Sequence, residues 1–383
     1  MENNNEFEFK LEEDYNGGGY WVLSRYNGGS ETVTIPAFHE GKPVKEIGRF
    51  AFHTSRARRK LKQVIIPEGI VSIGPRAFWD CYHLACLNLP ESLISIEDGA
   101  LDSPNLTRIN LPKNVTSLGN SALNGHKLTE ITVDKDNPVF TARDGILYDK
   151  AMTTLISYPA KKKVDEYCIP DGVISIRPGA LTLCRVDRIS FPQSLIFIDR
   201  EDFINCGHIH FTVSEQNPVF YSIDGSLFSK EGRRLLLYHL NHRTCKSYTI
   251  PEGTAGIAPR AFAELSRYSG ALRGGDPDPD RLFEVKLPRS LVSIPADAFD
   301  DSNLISGFVF SEGLEFIEAS AFSCSSLKTL ALPHSLKYIG EAAFDGCRNL
   351  ETVTLSAKTK IGYNAFEGFS GEFIILKTVL PAV

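Results

Sequence analysis

The chain lacks an excess of basic residues and lacks any long apolar run. Among its 383 residues, 41 Lys and Arg stand against 47 Asp and Glu, which gives a formal net charge of -6. Proteins that bind nucleic acid usually carry a basic face, so we expect no nucleic acid partner. No apolar run approaches the roughly 18 residues that a membrane-spanning helix needs, so we expect no membrane span.

The first ten residues, MENNNEFEFK, lack the basic start and the apolar core of a signal peptide. If Met1 is the native start, this predicts a cytoplasmic protein. Methionine and tryptophan are scarce, with two residues each, whereas the chain contains 24 Phe and 13 Tyr. Because aromatic side chains bury much apolar area, this composition predicts a packed β core rich in aromatic rings.

Motifs of catalysis and of cofactor binding are also missing. The chain contains no nucleophile elbow, no phosphate-binding loop and no paired zinc motif. We therefore predict that the protein is not an enzyme and has no cofactor. Two basic stretches, RARRK at 56–60 and KKK at 161–163, are interpreted as solvated corners, with an anionic partner as the alternative.

The chain is built from one repeated unit, of which VIIPEGIVSIGPRAFWDCYHL at 64–84 is typical. The repeat reads LxxIxIPxxLxxIGxxAFxxCxxL, and Pro67, Pro90 and Pro112 follow one another at 23 and 22 residues. Such a period predicts a solenoid, because each unit buries its apolar face only against its neighbours. The position that closes the first strand is held by Pro36, Pro67, Pro90, Pro112, Asp134, Pro170, Pro192, Ser214, Pro251, Pro288, Ser311, Pro333 and Ser356.

The ends of the chain differ from the repeat. Alternating residues around a Gly-rich turn predict an N-terminal capping hairpin at 1–30, because a solenoid end exposes an unpaired sheet edge. We assign the solenoid to 31–370 and a C-terminal cap to 371–383.

Insertions lengthen four intervals between units, and the first long interval divides between EGKPV at 40–44 and RARRK at 56–60. The segments 136–160 and 216–240 share NPVF followed by Asp-Gly, and Asp-Gly favours tight hairpin turns. We predict that each is a β-hairpin that grows from its coil. The segment 265–281, rich in Gly, Pro, Asp and Arg, predicts a mobile surface loop.

In the first strand of each unit, apolar residues alternate with residues of another kind. Val64 and Ile66 are predicted to point into the solenoid, whereas the residue between them faces outward. We call these outward positions, one per coil, the outward row, and we predict that they line a concave face. The row offers hydroxyl and amide groups without carboxylates. Its candidate ligand-binding residues are Asn88, Asn110, Thr132, Ser190, Thr212, Thr249 and Lys286.

Two further positions of the repeat predict core columns. Phe follows Ala at Phe52, Phe78, Phe262, Phe299, Phe322, Phe344 and Phe366. A column of stacked rings is the expected filler of such a coil, so these rings are read as core and not as a cofactor site. Cysteine recurs three residues later at Cys81, Cys184, Cys206 and Cys347, and one residue nearer at Cys324. We predict buried thiols rather than a disulfide framework.

Two weak metal patterns are present. Cys206, His208 and His210 alternate and would share one face of a strand, with His239 and His242 further along, but a structural zinc site needs four ligands. We favour a solvated histidine pair. Asp276, Asp278 and Asp280 have the first spacings of a calcium loop, yet Arg281 and Leu287 stand where that loop needs Gly and Glu. No metal site is predicted.

The repeat resembles the BspA-like leucine-rich repeats, a bacterial and protist family with LxxIxIP…IGxxAFxxC units of about 23 residues. The resemblance covers about 31–370. It implies a right-handed leucine-rich-repeat β/α superhelix, mostly β with short helical or 3₁₀ turns near the Ala-Phe pairs. Members are often secreted or attached to the cell surface, and some are adhesins. For this chain the resemblance therefore implies a secreted or cell-surface location, against the cytoplasmic one that its first residues indicate.

The resemblance and the outward row together predict a non-catalytic, adhesin-like binding scaffold that recognises a protein or a glycan. The alternative is a structural protein that self-associates through its inserted hairpins. The hairpin aromatics Phe140, Tyr148, Phe220 and Tyr221 either extend the binding surface or pack down on the solenoid.

Overall fold

A computed structural model describes residues 6–13, 18–102, 105–125, 127–199, 203, 206, 209–239, 247–262, 283–300, 302 and 305–376. The chain divides into two compact units. Unit 1 comprises Met1–Val186 with Ser194–Cys206, and unit 2 comprises Asp187–Gln193 with Gly207–Val383. Each unit has its own buried apolar core, drawn from successive coils of the repeat. The predicted repeat solenoid is confirmed.

Unit 1 consists of short strands. They are β1 (Phe7–Glu13), β2 (Gly19–Tyr26), β3 (Thr32–Thr34), β4 (Phe38–His39), β5 (Lys42–Ile47), β6 (Gln63–Ile65), β7 (Ser72–Ile73), β8 (Cys86–Asn88), β9 (Ser95–Ile96), β10 (Arg108–Leu111), β11 (Ser117–Leu118), β12 (Glu130–Val133), β13 (Phe140–Arg143), β14 (Ile146–Asp149), β15 (Thr154–Ser157), β16 (Glu166–Cys168) and β17 (Ser175–Ile176).

Unit 2 follows the same plan. Its strands are β18 (Arg188–Phe191), β19 (His210–Val213), β20 (Phe220–Ile223), β21 (Ser226–Ser229), β22 (Arg234–Leu237), β23 (Ser247–Thr249), β24 (Gly256–Ile257), β25 (Phe283–Lys286), β26 (Ser293–Ile294), β27 (Ile305–Val309), β28 (Phe316–Ile317), β29 (Thr329–Ala331), β30 (Tyr338–Ile339), β31 (Thr352–Ser356), β32 (Lys360–Ile361) and β33 (Glu372–Leu376).

A typical coil contributes one strand to each of two parallel ladders. The major ladder contains the strands that the repeat closes with Pro, such as β6 paired with β8 and β29 paired with β31. The minor ladder contains strands that are mostly two residues long, such as β7 paired with β9 and β28 paired with β30. The repeat pattern predicts only the major strand of each coil. Two residues are too few to show an alternating pattern.

Helix is almost absent from the described residues. The helix α1 spans Ser55–Lys60, a 3₁₀ helix spans Glu231–Arg233, and Phe203 is also in 3₁₀ conformation. The basic stretch at 56–60 thus lies in a helix, capped by the Thr54 side chain, rather than in an open corner. No helix among the described residues is long and apolar enough to cross a membrane.

The short helical or 3₁₀ turns predicted near the Ala-Phe pairs occur in two places, since α1 follows Ala51-Phe52 and Phe203 is in 3₁₀ conformation, whereas most of the described pairs lie in tight turns. In these turns the residue before Ala has a positive φ, such as 52° at Ser320 and 51° at Ala342. A left-handed residue at this place prevents a helix from continuing. The chain instead makes a tight turn that repeats from coil to coil.

The N-terminal hairpin of β1 and β2 joins the minor ladder, because β2 pairs in parallel with β5. At the other end of the described chain, β33 pairs in parallel with β31. The predicted 265–281 loop lies outside the described residues. The capping role of both end segments stays a prediction.

Each of the two related insertions is a three-stranded meander rather than a simple hairpin. The predicted hairpins are present, as β13 with β14 around Asp144-Gly145 and as β20 with β21. A third strand, β15 or β22, then pairs antiparallel to the hairpin and parallel to the next minor strand. The insertion therefore returns the chain to the minor ladder. The third strand forms by pairing with residues that are distant in sequence, so no local sequence pattern predicts it.

The hairpin aromatics do not extend the surface. Phe140, Tyr148 and Phe220 are buried, and Tyr221 is half-buried with its ring stacked on Phe228. The Tyr148 and Tyr167 hydroxyls lie 2.7 Å apart, so the polar end of Tyr148 is also satisfied. The alternative that these rings pack on the solenoid is correct.

A buried asparagine anchors each insertion. The Asn137 side chain is fully buried, and its amide nitrogen donates to the carbonyl oxygens of Pro112 and Val115 at 2.9 and 2.8 Å. Its amide oxygen accepts from the backbone N–H groups of Val139 and Phe140. Asn217 makes the equivalent bonds to Pro192, Val219 and Phe220. These contacts explain the Asn of the shared NPVF sequence.

The Asn137→Ala substitution should lower the free energy of unfolding by about 3 kcal/mol, because it leaves buried backbone groups without partners. Urea denaturation followed by circular dichroism measures the loss. Asn114→Ala is the matched control, since the exposed Asn114 makes one bond, to the Glu91 carbonyl oxygen. Its expected cost is within about 0.5 kcal/mol. Equal losses in the two variants would contradict the anchoring role.

The aromatic column is confirmed as core. In unit 1 the rings of Phe52 and Phe78 stack at 4.7 Å between centroids. In unit 2 Phe322 stacks on Phe344 at 5.0 Å, with an interplanar angle of 3°. The stack of unit 2 runs through Phe262, Phe299, Phe322, Phe344 and Phe366. One ring per coil therefore fills the core in these coils, whereas Leu101, Leu123 and Leu181 are buried at the same position in others.

Candidate functional site

The residues of the predicted outward row lie on the major ladder and face away from the core. Six of the seven candidates are exposed, and Ser190 is half-buried. Asn88, Asn110 and Thr132 belong to unit 1, whereas Ser190, Thr212, Thr249 and Lys286 belong to unit 2. Their outward orientation agrees with the period-two pattern of the strands. Their role in binding stays a prediction.

Strand pairing brings candidates of neighbouring coils side by side. Asn110 is the register partner of Thr132 on β10 and β12, and Ser190 is the partner of Thr212 on β18 and β19. Thr249 stands opposite Lys286 on β23 and β25. Asn88 stands opposite the half-buried Ile65 on β6. The row therefore contains pairs of polar side chains, and it also contains the apolar residues Ile65, Val309 and Ala331.

Hydrogen bonds join two of these pairs. The Thr132 hydroxyl donates to Asn110 Oδ1 at 2.9 Å, and the hydroxyl oxygens of Ser190 and Thr212 lie 2.6 Å apart. The first bond fixes the Asn110 amide so that its nitrogen remains a donor. Ordered donors and acceptors at a spacing of about 4.8 Å can bind several polar groups of one extended ligand.

Charges beside the row are paired. Arg108 and Glu130 flank the Asn110–Thr132 pair and form an ion pair at 3.0 Å between Nε and Oε2. Lys286 approaches Glu284 at 3.5 Å on its own strand. Both pairs are exposed, and exposed pairs contribute little to stability. They leave the row close to neutral, which favours hydrogen bonding over ionic attraction as its means of recognition.

The metal patterns fall partly outside the described residues. His208, His242, Asp276, Asp278 and Asp280 are not described. The rings of His210 and His239 meet edge to face at 5.0 Å. Over the described part of the chain, no group of three or more His, Cys, Asp or Glu side chains is placed to hold a metal ion.

The cysteine column is buried where the repeat puts Cys three residues after the Phe position. Cys81, Cys184, Cys206 and Cys347 are buried, and the described cysteines are all free. Three of their thiols donate hydrogen bonds that join one coil to the coil before it. The Sγ atoms of Cys81, Cys206 and Cys347 donate to the carbonyl oxygens of Phe52, Leu181 and Phe322, each one coil earlier.

Cys324 does not belong to this column, so its predicted burial is wrong. It lies one residue nearer to Phe322 and is exposed, with φ 54°. Ser325 fills the buried position instead, and its hydroxyl oxygen lies 3.2 Å from Cys347 Sγ. A one-residue shift in a turn reverses the direction of the side chain, which the spacing alone did not show.

Burial raises the pKa of the Cys81 thiol to about 12 and that of Cys347 to about 11. Because the thiolate is the reactive form, iodoacetamide at pH 8 should label Cys86, Cys168 and Cys324 at least about tenfold faster than Cys81 and Cys347 in the native protein. Peptide mass spectrometry measures the rates. Labelling in denaturant is the control, since all five thiols should then react alike. Native Cys347 reacting as fast as Cys324 would contradict the assignment.

The sequence matches the family model described as the BspA type leucine rich repeat region, in six copies over residues 29–143, 158–235 and 280–378. No curated protein sequence matches the chain.

The solved structures that are similar to the chain include the following three. The pneumococcal vaccine antigen PcpA is 21% identical, with 98% of this chain and 87% of that chain covered and a TM-score of 0.51. A leucine rich cell surface protein from Faecalibacterium prausnitzii is 22% identical, with 81% and 94% covered and a TM-score of 0.44. A leucine-rich repeat protein from Eubacterium ventriosum is 19% identical, with 83% and 93% covered and a TM-score of 0.49. The similarity to PcpA supports the fold alone.

Proposed function

This chain belongs to the BspA-type leucine-rich-repeat family, and from that premise we propose that it is a non-catalytic binding scaffold. It recognises a protein or a glycan through the outward row of the major ladder, in the manner of an adhesin. The family and its structural neighbours suggest a binding scaffold in general. The ligand and the binding face are our inference.

The observation that carries the proposal is the ordered polar pairing of the row. Asn110 with Thr132, and Ser190 with Thr212, present side chains already held by hydrogen bonds between coils. A side chain that is fixed before binding loses less conformational entropy when the ligand arrives. Several weak hydrogen bonds along the ladder of a single unit then add up over an extended contact area.

The absence of catalysis is part of the proposal. Leucine-rich-repeat proteins of this kind are generally non-catalytic. General acid–base chemistry requires a carboxylate or a histidine at the reacting group, whereas the outward row offers hydroxyls, amides and Lys286. The two carboxylates beside the described pairs, Glu130 and Glu284, are engaged with Arg108 and Lys286.

The alternative of assembly through the inserted hairpins has less support. Self-association of a hairpin needs exposed apolar side chains or an open strand edge. Phe140, Tyr148 and Phe220 are instead buried within their own units. The strands β15 and β22 pair on both sides, so β13 and β20, which each pair on one side, are the edges through which the insertions could associate. Light scattering over a range of protein concentrations distinguishes the two functions, since assembly requires a mass that grows with concentration.

The binding proposal is tested with immobilised glycans and purified extracellular-matrix glycoproteins. We expect the intact chain to bind at least one of them, and the double variant Asn88→Glu/Thr132→Glu to bind it at least about tenfold more weakly, because two carboxylates disrupt a neutral hydrogen-bonding row. Both sites are exposed, and they lie two coils apart, so the substitutions should leave the fold intact. Circular dichroism checks that point.

The matched control is Ser72→Glu/Ser117→Glu. It adds the same charge in the same unit, also two coils apart, but on the outward side of the minor ladder. Binding that is lost in the first variant and kept in the control supports the outward row. Equal loss in both variants would assign the effect to net charge, and binding by neither the intact chain nor its variants would reject the proposal.

A further inference from the structure

A cluster of aromatic rings and arginines lies on the surface of unit 1, away from the outward row. We call Arg49, Phe50, His53, Arg76 and Trp79 the aromatic–arginine cluster. The three rings are half-buried and the two arginines are exposed. Ring centroids lie 4.7 Å apart for His53 and Trp79, 5.7 Å for Phe50 and His53, and 5.9 Å for Phe50 and Trp79.

The repeat does not account for these side chains. Phe50 and Arg76 hold the position just before Ala, where φ is 56° and 52° respectively. A left-handed backbone favours glycine or a small polar residue over a bulky one. Most other coils carry such residues at this position, namely Gly99, Ser121, Gly179, Asp297, Ser320, Ala342 and Asn364, and Arg260 in unit 2 is the exception. Two neighbouring coils thus keep large side chains where the backbone disfavours them.

The guanidinium groups of the cluster are held by the rings and remain available. Arg49 Cζ lies 5.1 Å from the Phe50 ring centroid, and Arg76 Cζ lies 5.7 Å from that of Trp79. Neither arginine forms an ion pair with a residue that the structure describes, whereas Arg58 nearby is paired with Asp80 at 3.0 Å. A stacked guanidinium keeps its N–H edge free for a carboxylate or a sulfate.

The segment around the cluster is strongly basic in a chain of net charge -6. RFAFHTSRARRK at 49–60 contains five Arg and Lys and no acidic residue. Helix α1, which begins two residues after His53, adds the exposed side chains of Arg56, Arg59 and Lys60. Clustered positive charge attracts an anionic ligand from a distance.

The backbone of the cluster cannot pair with an extended peptide. The N–H groups of Phe50 and Arg76 donate to the carbonyl oxygens of Pro75 and Asp98 in the next coil, and that of His53 donates to Phe50. Peptides that bind in extended form need a free strand edge. Recognition here therefore depends on side chains alone. The faces of the aromatic rings contact the ligand, and the guanidinium N–H groups of the arginines bind its anionic groups.

We propose that the aromatic–arginine cluster binds an acidic glycan. The carboxylate or sulfate groups of the sugar pair with Arg49 and Arg76, and a sugar ring packs against Trp79 and Phe50. This second site is independent of the outward row, so it holds whether or not the row binds a ligand. It also gives the basic stretch at 56–60 a function in attracting the anion.

The test uses the full chain and four defined probes in biolayer interferometry. Polygalacturonate carries carboxylates, dextran sulfate carries sulfates, dextran is the neutral glycan, and poly-L-glutamate is the acidic peptide. We expect at least one acidic glycan to bind, and Arg49→Ser/Arg76→Asn to weaken it at least about tenfold. The probe that binds tells whether carboxylates or sulfates are preferred.

Two further variants distinguish the contributions of ring stacking and of position in the chain from the contribution of charge. Trp79→Ser introduces the residue that Ser323 provides at the same place in another coil, and it should also weaken glycan binding at least about tenfold. Arg260→Asn is the matched control, because Arg260 precedes Ala261 with φ 54° but lies in unit 2. It should leave binding unchanged. Thermal melting confirms that each variant is folded.

Several outcomes would overturn the proposal. They are the absence of binding to either acidic glycan, equal binding to dextran, and equally tight binding to poly-L-glutamate, which would indicate an acidic protein as the ligand. An equal loss of binding in Arg260→Asn would show that the binding site is not at the aromatic–arginine cluster. If the double arginine variant loses glycan binding and Trp79→Ser keeps it, the ligand is attracted by charge alone. That result would reject the proposal that a glycan is recognised here.

Discussion

The structure depends on hydrogen bonds from each coil to the next. A coil of 22 or 23 residues has no internal partner for many of its backbone groups, so a neighbouring coil must provide one. Gly74 N–H donates to the Ile47 carbonyl oxygen at 2.7 Å, and Phe78 N–H donates to that of Ala100. Glu68 adds a side-chain contact, because its carboxylate accepts from the N–H groups of Glu91 and Ser92 at 3.0 Å. Those backbone hydrogen bonds hold the pKa of Glu68 below its usual value.

This constraint explains why the same side-chain types return at the same places. A residue that faces its counterpart one coil away meets a copy of its own environment, so rings stack on rings and hydroxyls bond to hydroxyls. Ser72 and Ser95 on the minor ladder, with Oγ atoms 2.9 Å apart, show this as clearly as the phenylalanine column. At the two candidate sites the repeat has consequences other than stability. The outward row uses it to align polar groups, and the aromatic–arginine cluster departs from it.

Much of the fold could be predicted from sequence, because the period, the phenylalanine column and the major strands each leave a direct pattern. The minor ladder could not, since strands such as Ser72–Ile73 are too short to alternate. The return of β15 and β22 to that ladder depends on pairing between distant segments. The exposed side of Cys324 depends on a left-handed turn residue. The outward row followed from alternation, but which of its members form bonded pairs required the register. The aromatic–arginine cluster was missed because Arg56 to Lys60 were considered without the neighbouring coil that carries Trp79.

The two ladders advance by one strand each within the same 22 or 23 residues, as β7 to β9 and β6 to β8 show. The length of such a chain is therefore quantised. Adding or removing one whole coil keeps every remaining residue on its face, whereas a shift of a single residue would turn the outward row of one coil into its core. The meanders at 136–160 and 216–240 show how a segment of another length is accepted, because each follows a major strand, β12 or β19, and its last strand, β15 or β22, pairs in the minor ladder. Evolution or design can vary this protein by the coil or at these junctions.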